Sequence, residues 1–257
     1  MTQLVLSKLV GDVAVVTLNR PDKLNALSAA VEEALLLTVR SADVQGAAAV
    51  VFNGNGRAFC AGADVTEFRG LDPASILDYY KNLGALYEIV ADLPMPTVAA
   101  LHGFCVGGGF EFALACDIRV ADADTQFGLP EVGLGIVPSS GGLTRLVRAV
   151  GLVRAKEIML WRDRFSAEQA HADGLVTEVV PSGHATEIAL AGATRMAELP
   201  RLAVQVTKQA ADVSTESSRA ASLLIEQLAY AALAQTADAT EAALAFEEKR
   251  QPRFTGR

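Results

Sequence analysis

Cysteine, histidine and aromatic side chains are all scarce in this chain, and each shortage removes a class of function. The three cysteines, Cys60, Cys105 and Cys116, are odd in number and lack CxxC spacing. That argues against a disulfide framework or a zinc site and leaves buried or half-buried thiols as the reading. The three histidines, His102, His171 and His184, lack ligand spacing such as HExxH, so no metal is expected. Aromatics make up only 6% of the residues, too few for platforms on which bases stack. Positive charge is short as well: 22 Lys and Arg stand against 30 Asp and Glu, a net charge of −8. A nucleic-acid surface needs a dense positive patch, so no nucleic-acid partner is expected. Long apolar runs are missing too. The most apolar neighbourhood, residues 94–120, is interrupted by His102, Glu111 and Asp117, so no membrane span is expected. The apolar residues of the first ten positions are broken by Lys8 and lead into a strand pattern, unlike a signal peptide. A cytoplasmic location is the resulting expectation.

What is present suits a layered α/β domain. The 257 residues, 51% of them hydrophobic, supply a core for one large domain or a domain with an extension. Residues 4–9 and 13–18 read as two strands about Gly11-Asp12. Residues 27–39 have helical periodicity with Ser28 as N-cap. The apolar run 47–52, between Gly46 and Asn53-Gly54, reads as a buried strand. The order strand, glycine-rich loop, helix recurs at 97–101 with 107–116, and again from 118. From about residue 185 the chain becomes alanine-rich and helix-periodic, at 188–198, 202–211, 221–233 and 241–250, with Asp238 and Glu241 spaced as a capping box. A domain map of 1–190 for the core and 191–257 for a helical extension follows. Such an extension packs either on its own core or on another subunit.

Two loops stand out. In the first, every residue from Cys60 to Ala63 is small, and Asp64 is placed to cap a helix beginning at Val65. In the second, Gly107-Gly108-Gly109 precedes the helix 110–116. Three successive glycines are entropically unfavourable and suit a place where backbone amides approach a ligand at the positive end of a helix. GxxxxGK[ST], GxGxxG and GxSxG are all absent. A Ser–His pair of Ser139 or Ser140 with His102 is possible by residue type alone. Two strand-to-helix loops with unencumbered N–H groups are what an oxyanion hole requires; close helix–strand packing uses glycine equally well. Glu111 lies in the first turn after the glycines, and Glu131 follows Pro130. Each is explained equally by the helix dipole. As a pair in one site they would repel, leaving one protonated near neutral pH and so supplying an acid and a base from one residue type.

The segments VAVVTLNRPDKLNAL at 13–27, GRAFCAGADV at 56–65, PTVAALHGFCVGGGFEFALACDIRVA at 96–121, FGLPEVGLGIVPSSGGLTRL at 127–146, AEQAHADGLV at 167–176 and AFEEKRQPRF at 245–254 occur in one order and spacing. In these the chain resembles the crotonase superfamily, the enoyl-CoA hydratase/isomerase family, over essentially its whole length. The resemblance implies an α/β fold, a crotonase-like spiral of ββα units, with a C-terminal helical trimerisation region and assembly as a homotrimer or as a homohexamer, a dimer of trimers. It implies an acyl-CoA substrate, with coenzyme A part of that substrate and no separate cofactor. It matches the amides of Ala61 and Gly108 to the oxyanion hole, and Glu111 and Glu131 to the catalytic glutamates of hydratases. Glu131 would then protonate the α-carbon, and Glu111 would help activate water. Alone, Glu131 would suffice for moving a double bond. Lys23, Leu24 and the loop Ala61, Gly62, Ala63, Asp64 fall where the family binds coenzyme A. Lys249 and Phe254 match residues that reach it from a neighbouring subunit. The sequence departs from the hydratase pattern at Ser139, where glycine is typical after the proline. The tyrosines of residues 72–92, Tyr79, Tyr80 and Tyr87, suit either an acyl pocket or ordinary helix packing.

Overall fold

A computed structural model describes residues 3–67 and 70–256. The chain opens on the hairpin β1 (Val5–Val10) and β2 (Val13–Leu18), followed by α1 (Ala29–Val39), α2 (Ala42–Gly46) and β3 (Ala49–Gly54). Next come α3 (Pro73–Asn82), α4 (Leu86–Ala91), β4 (Thr97–Leu101), β5 (Phe104–Val106) and α5 (Gly108–Ala115). After these run β6 (Ile118–Asp122), β7 (Gln126–Gly128), α6 (Gly142–Leu160), β8 (Phe165–Ser166), α7 (Ala167–Ala172) and β9 (Glu178–Val180). Four helices end the chain: α8 (Ala185–Ala197), α9 (Arg201–Ser214), α10 (Arg219–Leu233) and α11 (Ala237–Glu248).

Six strands form the main sheet in the order β1-β2-β3-β4-β6-β9, parallel except for the first hairpin. A second, three-stranded sheet has the order β5-β7-β8. The spiral arises because consecutive strands step between sheets: β4 passes to β5 and β6 to β7 before a helix brings the chain back. Strands covered on both faces carry apolar residues at every position rather than at alternate ones. In β2, Ala14, Val16 and Leu18 join the main core while Val13 and Val15 face the other way, against α8. Helix α8 meets them with Ala185, Ala189 and Ala193, spaced i, i+4, i+8 along one face. Its N-terminus is held by buried Asp122, whose carboxylate accepts from the N–H groups of Gly183, His184 and Ala185. Helix α8 therefore completes the core, and a domain boundary at 190 would cut through it. The separate helical region begins at α9.

Two smaller expectations are also corrected. The last helix is capped by Thr236, whose hydroxyl accepts from Ala239 N–H. Asp238 turns instead to the chain end, accepting from the N–H groups of Thr255 and Gly256. Asp64 does not cap a helix at Val65: residues 65–67 form a turn, and the Asp64 carboxylate takes Thr66 Oγ1 at 2.7 Å and Arg20 at 3.0 Å.

Candidate active site

Helix α5 starts where the two glycine-rich loops meet. Cys60 and Cys105 form a bridge between the loops, and Gly109 packs into it so closely that a Cβ there would lie 2.4 Å from the Cys60 carbonyl oxygen. That contact requires glycine and fixes the helix N-terminus against residues 60–63. The first loop is braced from its other side by Leu27, which takes its N–H to Gly62 O and accepts from Asp64 N–H. In this parallel bridge the N–H of Ala63 faces away from Leu27. Among the described residues it has no acceptor. Gly108, the first residue of α5, likewise has an N–H without a partner, as a helix start leaves it. The two lie side by side: a Cβ on Gly108 would be 3.3 Å from Ala63 N.

Ala61 does not supply that donor, against expectation. Its N–H donates to the Leu24 carbonyl at 3.0 Å, because Leu24 and Asn25 adopt left-handed conformations that turn this carbonyl onto the loop. Buried Asn25 holds the turn, donating to the carbonyls of Asn55 and Ala58 and accepting from Arg20 N–H. The free donor has moved two residues along, to Ala63.

Glu111 extends from the first turn of α5 and is 3% exposed. Its Oε1 accepts from the N–H of Ser140 at 2.8 Å and of Gly142 at 3.0 Å, at the start of α6. Burial raises its pKa above the ordinary carboxylate value, while those two amides and the Arg145 charge oppose the rise. Gly142 is required here: a Cβ would fall 2.3 Å from Glu111 Cγ. Glu131 opens a short 3-10 turn, Glu131–Leu134, and is 7% exposed. Its Oε2 is buried without a hydrogen-bond partner. Burial pushes its pKa to about 7; its own backbone N–H opposes the rise and the Glu111 charge adds to it. One carboxyl oxygen of Glu131 reaches the glycine loop, 3.1 Å from where a Cβ on Gly107 would sit. The structure thus brings together two buried carboxyls and two unpaired N–H groups.

Other expected site residues lie at varying remove. Lys23 is exposed, in a 3-10 turn. Ser139 is exposed, and its Oγ meets the Tyr80 hydroxyl from α3. Ser139 and Ser140 do not meet His102, whose Nε2 contacts Gly56 O at 3.2 Å, so the Ser–His pair is not formed. Lys249 caps α11 and Phe254 is half-buried. Contacts within the helical region hold the segment carrying them: Arg250 and the N–H of Arg253 both bond to Glu241. Sequence reasoning missed buried Glu32 on α1, which accepts from Tyr79 and Tyr87. Its signal was there, a glutamate beside Val31 and Leu35 on the apolar stripe of α1.

The family model described as enoyl-CoA hydratase/isomerase matches residues 9–257. The 2,3-dehydroadipyl-CoA hydratase of Escherichia coli is 39% identical over 258 residues, covering all of both chains. A probable mitochondrial enoyl-CoA hydratase of Arabidopsis thaliana is 40% identical over 198 residues; the match spans 77% of this chain and 66% of that protein. Among solved structures, an enoyl-CoA hydratase from Bacillus anthracis superposes with a TM-score of 0.92 at 35% identity, covering 99% of this chain and all of that one. With spiral, glycine loops and glutamates in place, the chain belongs to the enoyl-CoA hydratase/isomerase family.

Proposed function

We propose that this protein hydrates trans-2-enoyl-CoA to 3-hydroxyacyl-CoA in the breakdown of acyl-CoA thioesters. The observation that carries the reading is the pairing of Glu111, held by two backbone amides, with Glu131, whose bare oxygen and raised pKa suit a proton donor. The thioester oxygen accepts from the N–H groups of Ala63 and Gly108, which stabilise the enolate-like charge as it develops. Each such donor contributes ~3 kcal/mol at the transition state. Glu111 takes a proton from water as its oxygen bonds to the β-carbon, and Glu131 delivers its proton to the α-carbon. The two steps together add one water across the double bond. Coenzyme A enters as part of the substrate, and the chemistry calls for no separate cofactor. Its binding falls to the exposed face around Lys23, Leu24 and the 61–64 loop, with Ser139 on the acyl side. Asp64 acts there by tying the loop to Arg20.

Assembly as a homotrimer or homohexamer belongs to the same proposal, with Lys249 and Phe254 reaching a neighbour's coenzyme A. Its support is the apolar surface that α9 and α10 leave uncovered. A cytoplasmic setting accords with three free thiols.

Loss of the enoyl-thioester absorbance on adding protein to crotonyl-CoA or longer enoyl-CoA tests the activity. Absence of turnover across short, medium, long and aromatic enoyl-CoAs sinks it. Glu111→Gln is expected to abolish hydration while sparing exchange of β,γ- for α,β-double bonds, and Glu131→Gln to abolish both. Hydration retained equally by both variants refutes the roles.

A further inference from the structure

Helix α1 turns a glutamate inward. Val31, Leu35 and Val39 form its buried stripe, and Glu32 lies beside them at 1% exposure. Taking a carboxyl out of water is unfavourable unless hydrogen bonds replace the lost hydration. Here two tyrosines do so: Tyr79 Oη donates to Oε2, and Tyr87 Oη donates to Oε1 at 3.4 Å. Burial still raises the pKa of Glu32 above its ordinary value, against those two bonds. A carboxylate accepts about four hydrogen bonds, so acceptor capacity remains.

Both tyrosines lead back to the reacting groups. Tyr87 Oη lies 3.3 Å from where a Cβ on Gly108 would sit, as close as Ala63 N. The ring of Tyr79 stands edge-on to Tyr80, with centroids 5.0 Å apart. Tyr80 meets Ser139, whose neighbour Ser140 holds Glu111. A chain of contacts therefore runs from beside Gly108 through Tyr87, Glu32, Tyr79 and Tyr80 to the loop that holds Glu111. On this side of the Gly108 amide the protein places tyrosine hydroxyls and a buried carboxyl.

We propose that Glu32, with Tyr79 and Tyr87, forms a specificity subsite for an acyl chain that bears a hydroxyl group beyond the reacting double bond. The inference rests on the hydratase reading above and names its substrate class. A hydroxyl can donate to the spare capacity of Glu32, while the single protons of Tyr79 and Tyr87 stay on that carboxylate. A methyl at that place supplies no donor for the remaining capacity of Glu32, and a site built to hydrogen-bond a substrate hydroxyl rejects the analogue lacking it. A carboxylate there would set a second negative charge against Glu32.

Five thioesters test the subsite: crotonyl-CoA with 4-hydroxycrotonyl-CoA, trans-2-hexenoyl-CoA with its 6-hydroxy derivative, and 2,3-dehydroadipyl-CoA. In at least one pair the hydroxylated member is expected to have a kcat/KM about tenfold above its partner, with 2,3-dehydroadipyl-CoA the poorest of the six-carbon chains. Glu32→Leu should bring the ratio near one, whereas Glu32→Gln, which keeps an acceptor oxygen, should retain most of it. Should Glu32→Leu fail to fold, Tyr79→Phe on α3, a helix without buried residues, should erode the same ratio. A ratio within one preparation is insensitive to general loss of stability. Equal rates in both pairs, a preference that survives these substitutions, or 2,3-dehydroadipyl-CoA as the best substrate overturns the subsite and leaves hydration standing. No turnover of any of the five overturns the subsite, and the longer and aromatic enoyl-CoAs then decide the hydratase reading.

Discussion

At the scale of the residue, the two glutamates differ in what holds them, and that difference fixes their pH behaviour. In the role proposed for it Glu131 must carry its proton, and with a pKa raised to about 7 it loses that proton as pH rises through neutrality. In the role proposed for Glu111 the working form is the anion, and its pKa is also raised, so it loses competence as pH falls. The product is a bell in kcat/KM whose alkaline limb lies near 7. A profile of crotonyl-CoA hydration that stays flat from about pH 6 to 9 contradicts the assignment of Glu131 as acid. Gly142→Ala makes a second case. The new Cβ would push on Glu111 Cγ, and displacement of a reacting group by about 1 Å lowers rate roughly a hundredfold. The expected outcome is that fall in kcat with KM little altered, and stopped-flow or steady-state assay reads it. Glu111 and Glu131 were legible in sequence because each follows a local signal, a glycine run or a proline. The amides of Ser140 and Gly142 were not, since about thirty positions separate them from Glu111 and only the packing of α5 on α6 brings them together. The shift of the donor from Ala61 to Ala63 was equally hidden. It depends on the bridge to Leu27 and on the left-handed turn at Leu24 and Asn25, neither of which has a periodic signature.

Elements followed their sequence patterns where burial is regular and departed from them where side chains have alternative partners. The strand at 97–101 and the helix ended by Val39 lie where apolar runs and Ser28 put them, because the strand is buried throughout and Ser28 accepts from Val31 N–H. Asp238 and Thr236 show the other case. Both suit a helix start, and the choice was made by the chain end, whose Thr255 and Gly256 amides take the aspartate and leave the cap to threonine. The end of the core at α8 rather than at residue 190 has a similar origin. An alanine-rich helix reads alike whether it packs on a sheet or on other helices, and only the row Ala185, Ala189, Ala193 against β2, β3 and β4 decides it. Asp122 links that helix to the sheet, so Asp122→Ala strips three amides of their acceptor, that of buried Ala185 among them. An N-cap loss that leaves a buried donor unpaired is worth about 1–3 kcal/mol. Urea denaturation is expected to show an unfolding free energy lower by that amount, read as a lower midpoint at unchanged slope, and an unaltered midpoint counts against the capping role.

At the scale of the whole molecule, the helical region is the part whose own chain does least to bury it. Helices α9 and α10 have no buried residues, although α9 carries apolar positions along one side. Its polar ties to the core include Lys208, which bonds to Asp117 and to the Met95 carbonyl, and Arg201, which bonds to the Gly46 carbonyl. Leu224, Leu228 and Tyr230 on α10 are exposed by more than half. Apolar patches of this kind on a folded domain mark an interface, and copies of the same chain are the occupants a closed symmetric assembly supplies. Sedimentation is expected to give three or six protomers. Leu224→Glu combined with Leu228→Glu places charge in that face and should shift the population to smaller species. Lys249 caps α11 and Phe254 follows it in the same helical region, so assembly and coenzyme A binding are coupled in the proposal. If those residues serve a neighbour's coenzyme A, dissociation raises KM for the thioester while kcat, set by Glu111 and Glu131 within one chain, falls much less. A wild-type protein that sediments as a monomer at assay concentration removes the assembly. A dissociated variant with wild-type KM keeps the assembly and removes the role of the chain end in binding.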